Sequence, residues 1–296
     1  MSQYLWIENV KENETYRESF FELAKLVFEL DFRAWYDNGG WNDQYVCYSY
    51  ADQGKVIANA SINKMTLVSD GRIYQAIQIG TVMTHPDYRN QGLSGKLMQR
   101  ILDIYENKCD FIYLFANDTV HDFYPKFGFQ RVAESSFSLQ VTSLGQLPAP
   151  SGPIRRLDLQ HAEDQELLQS MAASRVPVSN KLGVIRDEHL LTFYSTLAFP
   201  DDFYYFEKLE AIVLFKHEES ELHLFDIVSR TSIDIESIVA SLINEETKIV
   251  HFHFTPDVEW KELRVEPLDG EDDALFVKPG LPWPSNPFLF PVTSHA

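Results

Sequence analysis

Four residues within eight positions, Arg89, Gly92, Gly95 and Lys96, have the chemistry of an anion site. Glycine lets a backbone approach a ligand closely, and the free N–H groups of a helix start favour negative charge. Two cations at the same turn add charge where phosphates would sit. The flanks suit such a turn. Gln75 to Val82 is apolar with Gln and Thr interleaved, as in a strand inside a sheet. His85-Pro86-Asp87 breaks it, because proline locks φ and extends its predecessor. From Leu93 onward, Leu97, Met98, Ile101, Leu102 and Tyr105 recur at helical spacing. The segment reads as a pyrophosphate cradle feeding a helix, although an ordinary strand-to-helix turn with surface charges has the same composition. Two familiar phosphate loops do not fit. Gly95-Lys96 is followed by Leu97 and lacks the earlier glycine of a P-loop, and Gly92-Leu93-Ser94-Gly95 has the wrong spacing for a dinucleotide fingerprint.

The run Val82-x-x-x-Pro86-Asp87-Tyr88-Arg89-Asn90-Gln91-Gly92-Leu93-Ser94-x-x-Leu97 resembles the acyl-CoA loop of the GCN5-related N-acetyltransferases (GNAT). That family uses Arg/Gln-x-x-Gly-x-Gly/Ala, and Ser94 stands here for the last small residue. Downstream, Asn117 to Phe129 resembles the family's Asn-x6-Tyr-x3-Gly-Phe segment, with Tyr124, Gly128 and Phe129 in place. The resemblance covers about residues 1 to 140. It implies a mixed α/β fold, the acyl-CoA N-acyltransferase fold, with a mainly antiparallel sheet flanked by helices. It also implies acetyl-CoA as cosubstrate. The backbone of Val82, Met83 and Thr84 would hold the pantetheine arm, and Arg89, Asn90, Gln91, Gly92, Leu93, Ser94, Gly95 and Lys96 the pyrophosphate. Asn117 would touch the arm, and Tyr124 would bind the cofactor and act as general acid at the sulfur. The carboxylate many relatives carry on the cofactor strand is missing from Gln75 to Met83. A water held by Gln78 or Thr81, or else His85 or His121, is left as the base.

Composition narrows the function classes. Hydrophobic content of 45% with 23% charged residues suits a globular protein of 296 residues. No apolar run approaches membrane-spanning length, and Met1 to Val10 is too polar for a signal peptide. Cys47 and Cys109 form no disulfide framework and no metal-ligand spacing, so a reduced, cytoplasmic protein is expected. The net charge of −19 disfavours nucleic acid and anionic membranes. The first 147 residues carry −5 and the rest −14. That field would steer a cationic acceptor, though solubility alone explains it equally.

The surrounding elements are read from periodicity. Residues 13 to 36 carry a helical pattern with Phe20, Leu23, Ala24, Val27 and Phe28 on one face. Trp35, Tyr36 and Trp41 follow as core aromatics or as a wall for an amine. Tyr45–Tyr50 and Lys55–Lys64 form a hairpin, Met65–Ile73 a short β stretch, Asp110–Ala116 a buried strand, and His121–Lys126 a short helix. Gln130–Val141 is expected as the last strand of the first sheet. Pro, Gly and Ser are dense between Thr142 and Pro153, which divides the chain into a catalytic domain (1–142), a linker (143–153) and a C-terminal domain (154–296).

Beyond the linker, helices are expected at Ala162–Met171, Asp187–Leu197 and Ile233–Ile243. Strands are expected at Leu209–Lys216, Glu221–Val228, Lys248–Thr255 and Ala274–Val277. The loop 227–234 has no glycine, so this half reads as a degenerate second copy that builds part of the acceptor pocket or a homodimer face. His251 and His253 face one side of a strand, but no third ligand lies nearby in sequence. They are assigned to packing, and no metal is expected. Pro279 to Pro291 is expected as an extended surface segment.

The function that follows is transfer of an acetyl group from acetyl-CoA to a primary amine of a small molecule or peptide, directly in a ternary complex. A non-catalytic acyl-CoA sensor is the alternative.

Overall fold

Two-residue turns at Gln53-Gly54, Asp70-Gly71 and Glu219-Ser220 close three antiparallel hairpins of this chain. The computed structural model describes residues 4–258, 260–268, 272–278 and 287–296. The strands are β1 Leu5–Glu8, β2 Tyr45–Asp52, β3 Lys55–Ser69, β4 Arg72–Thr84, β5 Phe111–Ala116, β6 Gln130–Arg131, β7 Glu134–Gln140, β8 Ile154–Arg156, β9 Leu182–Ile185, β10 Phe203–Phe206, β11 Ala211–Glu218, β12 Glu221–Ser229, β13 Ile249–Phe252, β14 Arg264–Leu268 and β15 Ala274–Val277. The α-helices are α1 Glu14–Phe28, α2 Arg33–Asp37, α3 Leu93–Tyr105, α4 Ala162–Ala172, α5 Glu188–Phe193 and α6 Ile235–Leu242.

Two mixed sheets form. The first runs β1-β2-β3-β4-β5-β15-β6, with β9 added on β3, and the second runs β8-β10-β11-β12-β13-β7-β14. In each, among the described residues, only the fourth and fifth strands are parallel: β4 with β5, and β12 with β13. A parallel pair needs a crossover, and α3 and α6 supply them. The sixth strand of each sheet comes from the other half of the chain. β15 lies antiparallel to β5, and β7 lies antiparallel to β13.

This corrects the expectation of one strand over Gln130–Val141. β6 stays in the first sheet, while β7 crosses to the second and pairs Phe137 with Phe252. The reason is burial: Phe137 and Leu139 have their apolar partners in the second core. The helical pattern over 13–36 is also interrupted. Asn13 caps α1 by accepting from Tyr16 N, and Glu29 ends it at φ 61°. Met65–Ile73 is part of one long hairpin, since β3 runs on to Ser69 and turns at Asp70-Gly71 into β4.

Part of the Pro279–Pro291 stretch, 279–286, lies outside the described residues. Its end does not lie on the surface. Phe288 and Phe290 are buried beside Tyr113 and Leu275, and this tail threads between the two halves.

Candidate active site

The cofactor strand and its neighbour part at a defined point. Parallel pairing of β4 with β5 runs from Ala76–Phe111 to Ile79–Leu114 and stops there, while β4 continues to Thr84. The register with β3 also shifts here, between Asn59 and Ser61, and Thr81 adopts φ 49°. A bulge of this kind bends a strand and re-aims its groups. The backbone of Val82 and Thr84 is thereby freed on the β5 side, where an extended ligand arm could add as a strand. Asn59 holds the bulge by donating Nδ2 to the Thr81 carbonyl at 3.0 Å.

Beyond Thr84 the chain makes a short turn at Pro86–Tyr88 and enters α3. Gly92 is the N-cap, at φ 72°, and no side chain caps the helix. A Cβ built on Gly92 would meet no atom within 4 Å. Gly92 is exposed and no side chain takes the first N–H groups of α3, and the helix end carries roughly half a positive charge.

Arg89, Asn90, Gln91 and Lys96 are exposed around this opening, and Ser94 and Gly95 are half-buried in the first turn. Arg89 Nε donates to the Thr84 carbonyl at 3.4 Å, and Asn90 takes φ 62°. The Ser94 hydroxyl meets the Thr84 hydroxyl at 2.8 Å, which ties the helix start to the strand. Gln91 Oε1 accepts from Tyr4 at 2.8 Å, so its side chain braces the loop. Leu93 and Met83 are buried, so only their backbones can serve a ligand.

Asn117 stands just past β5 and is exposed, with its Oδ1 accepting from Thr119 N at 3.2 Å. Tyr124 is buried among Phe123, Phe129 and Phe276, in the same cluster as Leu93 and Leu97 of α3. Burial pushes its phenol up to about 12, so it stays protonated through neutral pH.

Next to the bulge lies a cavity of about 200 Å³, lined by Phe28, Leu30, Phe32, Trp35, Tyr45, Asn63, Thr81, Leu190, Phe193 and Ala296. Leu190 and Phe193 come from the second half of the chain. Tyr45 donates its hydroxyl to Thr81 Oγ1 at 3.0 Å. Gly80 matters for the floor of this region, because a Cβ there would lie 2.9 Å from the Ala296 oxygen.

Of the three aromatics expected near an acceptor, only Trp35 lines the cavity. Trp41 is packed among Phe20, Phe21 and Tyr45, and Tyr36 lies under the Arg17 guanidinium at 4.7 Å. Tyr45, Asn63, Leu190 and Phe193 carry no signal as lining residues in the sequence, since no local pattern joins them, and Thr81 is expected there only as the holder of a water.

The candidate bases fare unequally. His121 Nε2 lies 3.3 Å from the Ala116 carbonyl, and Gln78 is buried with Nε2 donating to the Ser294 carbonyl at 3.0 Å. His85 Nδ1 accepts from Asp87 N at 3.3 Å. Thr81 alone among them lines the cavity. Cys47 is buried and its thiol is pushed up to about 12, which suits packing rather than nucleophilic attack.

Residues 10–132 match the family model for the acetyltransferase (GNAT) domain. No sequence among curated proteins matches the chain. Solved structures share its fold. A conserved protein of Enterococcus faecalis V583, described as a probable N-acyltransferase, superposes with TM-score 0.62 at 14% identity, covering 93% of this chain and 72% of its own. A GCN5-related N-acetyltransferase from Kribbella flavida gives 0.54 at 18% identity, covering 92% and 71%. Another from Anabaena variabilis ATCC 29413 gives 0.58 at 16% identity, covering 93% and 72%.

Proposed function

Taking as premise that residues 10–132 are a GNAT acetyltransferase domain, we propose that this protein moves an acetyl group from acetyl-CoA to a primary amine of a small molecule or peptide. The observation that carries the reading is the uncapped start of α3 at Gly92, open to solvent and placed directly beyond the point where β4 leaves β5. Backbone groups of Val82 and Thr84 take the arm, and the N–H groups from Leu93 to Gly95, with Arg89 and Lys96, take the pyrophosphate. We read residues 154–296 as a degenerate second GNAT-like half that completes the acceptor cavity through Leu190 and Phe193.

Transfer needs a neutral amine, a polarised thioester carbonyl and a protonated leaving thiolate. Tyr124 enters the reaction as a neutral phenol and donates to the sulfur. The amine attacks the acetyl carbon directly, the C–S bond breaks, and the amine proton leaves through a water held at Thr81. The apolar walls of the cavity take the carbon portion of a small amine, and the net charge of −19 favours approach of a cationic one.

One observation favours the second reading, a non-catalytic acyl-CoA sensor: no Asp, Glu or His side chain lines the cavity among the described residues. A single assay separates the two. Purified protein is incubated with acetyl-CoA and a panel of primary amines while free thiol is followed. Amine-dependent thiol release, reduced about 100- to 10,000-fold in kcat in Tyr124→Phe with a much smaller change in acetyl-CoA affinity, supports the enzyme. Acetyl-CoA binding with no release on any amine supports the sensor, and no acetyl-CoA binding sinks both.

A further inference from the structure

The second sheet carries a cluster that acetyl transfer does not use. His223 on β12 and His251 on β13 are register partners in the parallel pair, so they project side by side, with ring centroids 4.8 Å apart and planes within 11°. Glu221 precedes His223 by two residues, and His253 follows His251 by two, which places all four on one face. The missing third ligand of the sequence reading is His223, which reaches His251 and His253 across the sheet rather than along the chain. Those two histidines are half-buried rather than in the core.

Ligand atoms from Glu221, His223 and His251 all lie within 4.8 Å of one another. Glu221 Oε2 is 3.0 Å from His251 Nε2 and 3.7 Å from His223 Nε2. Yet His251 Nε2 forms no hydrogen bond in this arrangement, although it is shielded from solvent. Its nearest polar atom is thus a carboxylate oxygen that it does not engage by a well-directed hydrogen bond, a geometry that a shared cation would satisfy for both.

The far side of His223 is organised as well. Its Nδ1 lies 3.0 Å from His253 Nε2. If Nδ1–H donates there, Nε2 presents its lone pair to the cluster, as outer partners of metal-bound imidazoles arrange. His253 is in turn held against the Phe225 ring at 4.4 Å. Glu218 Oε2, 4.0 Å from His223 Nε2, stands ready as a further oxygen. The side chains of His223, His251 and Glu221 are 19%, 31% and 41% exposed, so an ion has access.

We propose that Glu221, His223 and His251 bind one divalent transition-metal ion of the Zn²⁺ type, with His253 as a positioning residue behind His223. Two imidazoles and one carboxylate suit Zn²⁺, Co²⁺ or Ni²⁺ and not the all-oxygen ions Mg²⁺ and Ca²⁺. The ion would clamp β12 to β13. None of these residues lines the acceptor cavity, so the proposal stands apart from acetyl transfer.

The test uses full-length protein without a histidine tag, freed of metal by chelation and titrated with Co²⁺ while its visible absorption is followed. Zn²⁺ is then measured in competition with a chromophoric chelator. Saturation at one equivalent is expected, displaced by Zn²⁺ and not by Mg²⁺. Glu221→Gln and His251→Ala should each weaken binding at least tenfold, and His253→Ala about tenfold, while His161→Ala, at an exposed histidine elsewhere, should bind as the parent does. Thermal unfolding of the metal-free variants checks that each is folded. The parent titration decides the matter even if a variant is not. Absence of one-equivalent saturation in the parent, or equal affinity across folded variants, overturns the proposal.

Discussion

In β4–α3–β5 the helix starts at Gly92 and nothing caps it. In β12–α6–β13 it starts at Asp234, whose carboxylate already accepts from Glu236 N and Ser237 N. The units are otherwise close. Both have a parallel pair, a crossover helix, and a register shift where the parallel pairing ends, after Ile79 in one and after Leu224 in the other. Two residues past that point stands Thr81 in the first unit and Asp226 in the second. Thr81 lines a cavity. Asp226 is buried, accepting from Arg175 at 2.9 and 2.6 Å and from Thr293 at 2.6 Å, with Asp187 3.3 Å from the same guanidinium. One architecture therefore leaves a cavity beside its bulge and its helix start without a side-chain cap. The other fills both places with its own carboxylates, and a phosphate would meet a negative charge there. A ligand site is made here by leaving groups out as much as by putting them in.

The sharpest way to break the comparison is to open the filled wedge. Asp226→Asn leaves the fully buried Arg175 short of a counter-charge and should cost about 3–5 kcal/mol by urea unfolding. A loss under 1 kcal/mol would mean the network does not hold the second unit shut.

The exchanged strands differ too. β15 is buried and apolar throughout, while β7 begins with buried Glu134, whose Oε1 accepts from Phe290 N at 2.8 Å. Burial raises the Glu134 carboxyl to about 7, against an ordinary value of 4.5. A carboxyl raised by folding contributes stability below its unfolded pKa, and that contribution is lost as pH climbs from about 4.5 to 7. Glu134→Gln should thus gain up to roughly 3 kcal/mol at pH 8 and nothing at pH 4. A pH-independent difference from the parent would remove this account.

On the open side, Gly92→Glu puts bulk, charge and a strained φ into the seat. Calorimetry should show acetyl-CoA affinity falling at least ~100-fold, about 2.7 kcal/mol, with the fold intact. Retained affinity would place the pyrophosphate elsewhere. The smallest effect belongs to the closed counterpart. Asp234→Ala should destabilise by about 1 kcal/mol as a lost helix cap and leave acetyl-CoA affinity unchanged. A changed affinity would show that the second unit shares in binding.

Much of this was legible along the chain because it is local. Gly92, Arg89 and Lys96 lie within eight positions, so the strand-to-helix turn they occupy is read from spacing while their phosphate role rests on the resemblance, and the apolar run of β5 or the spacing of α3 needs no partner to be read. Tyr124 could be placed by motif, but its raised phenol pKa comes from Phe129 and Phe276, and Phe276 lies far along the chain. The acceptor cavity could not be read, since Thr81, Trp35 and Phe193 meet only after folding. His223 escaped notice for the same reason: it is 28 positions from His251 in sequence, yet opposite it across two strands.

What the amino-acid sequence determined by itself was a glycine-started helix with two cations at the same turn, because backbone freedom and charge at one turn are properties of consecutive residues. Only the tertiary structure decided which strand completes which sheet. β7 and β15 are short, and nothing local in either names its sheet; each pairs where its buried residues find partners, Phe252 for Phe137 and Leu114 for Phe276. It also decided that one unit stays open and the other is closed by Arg175 and Thr293, residues distant from it in the chain.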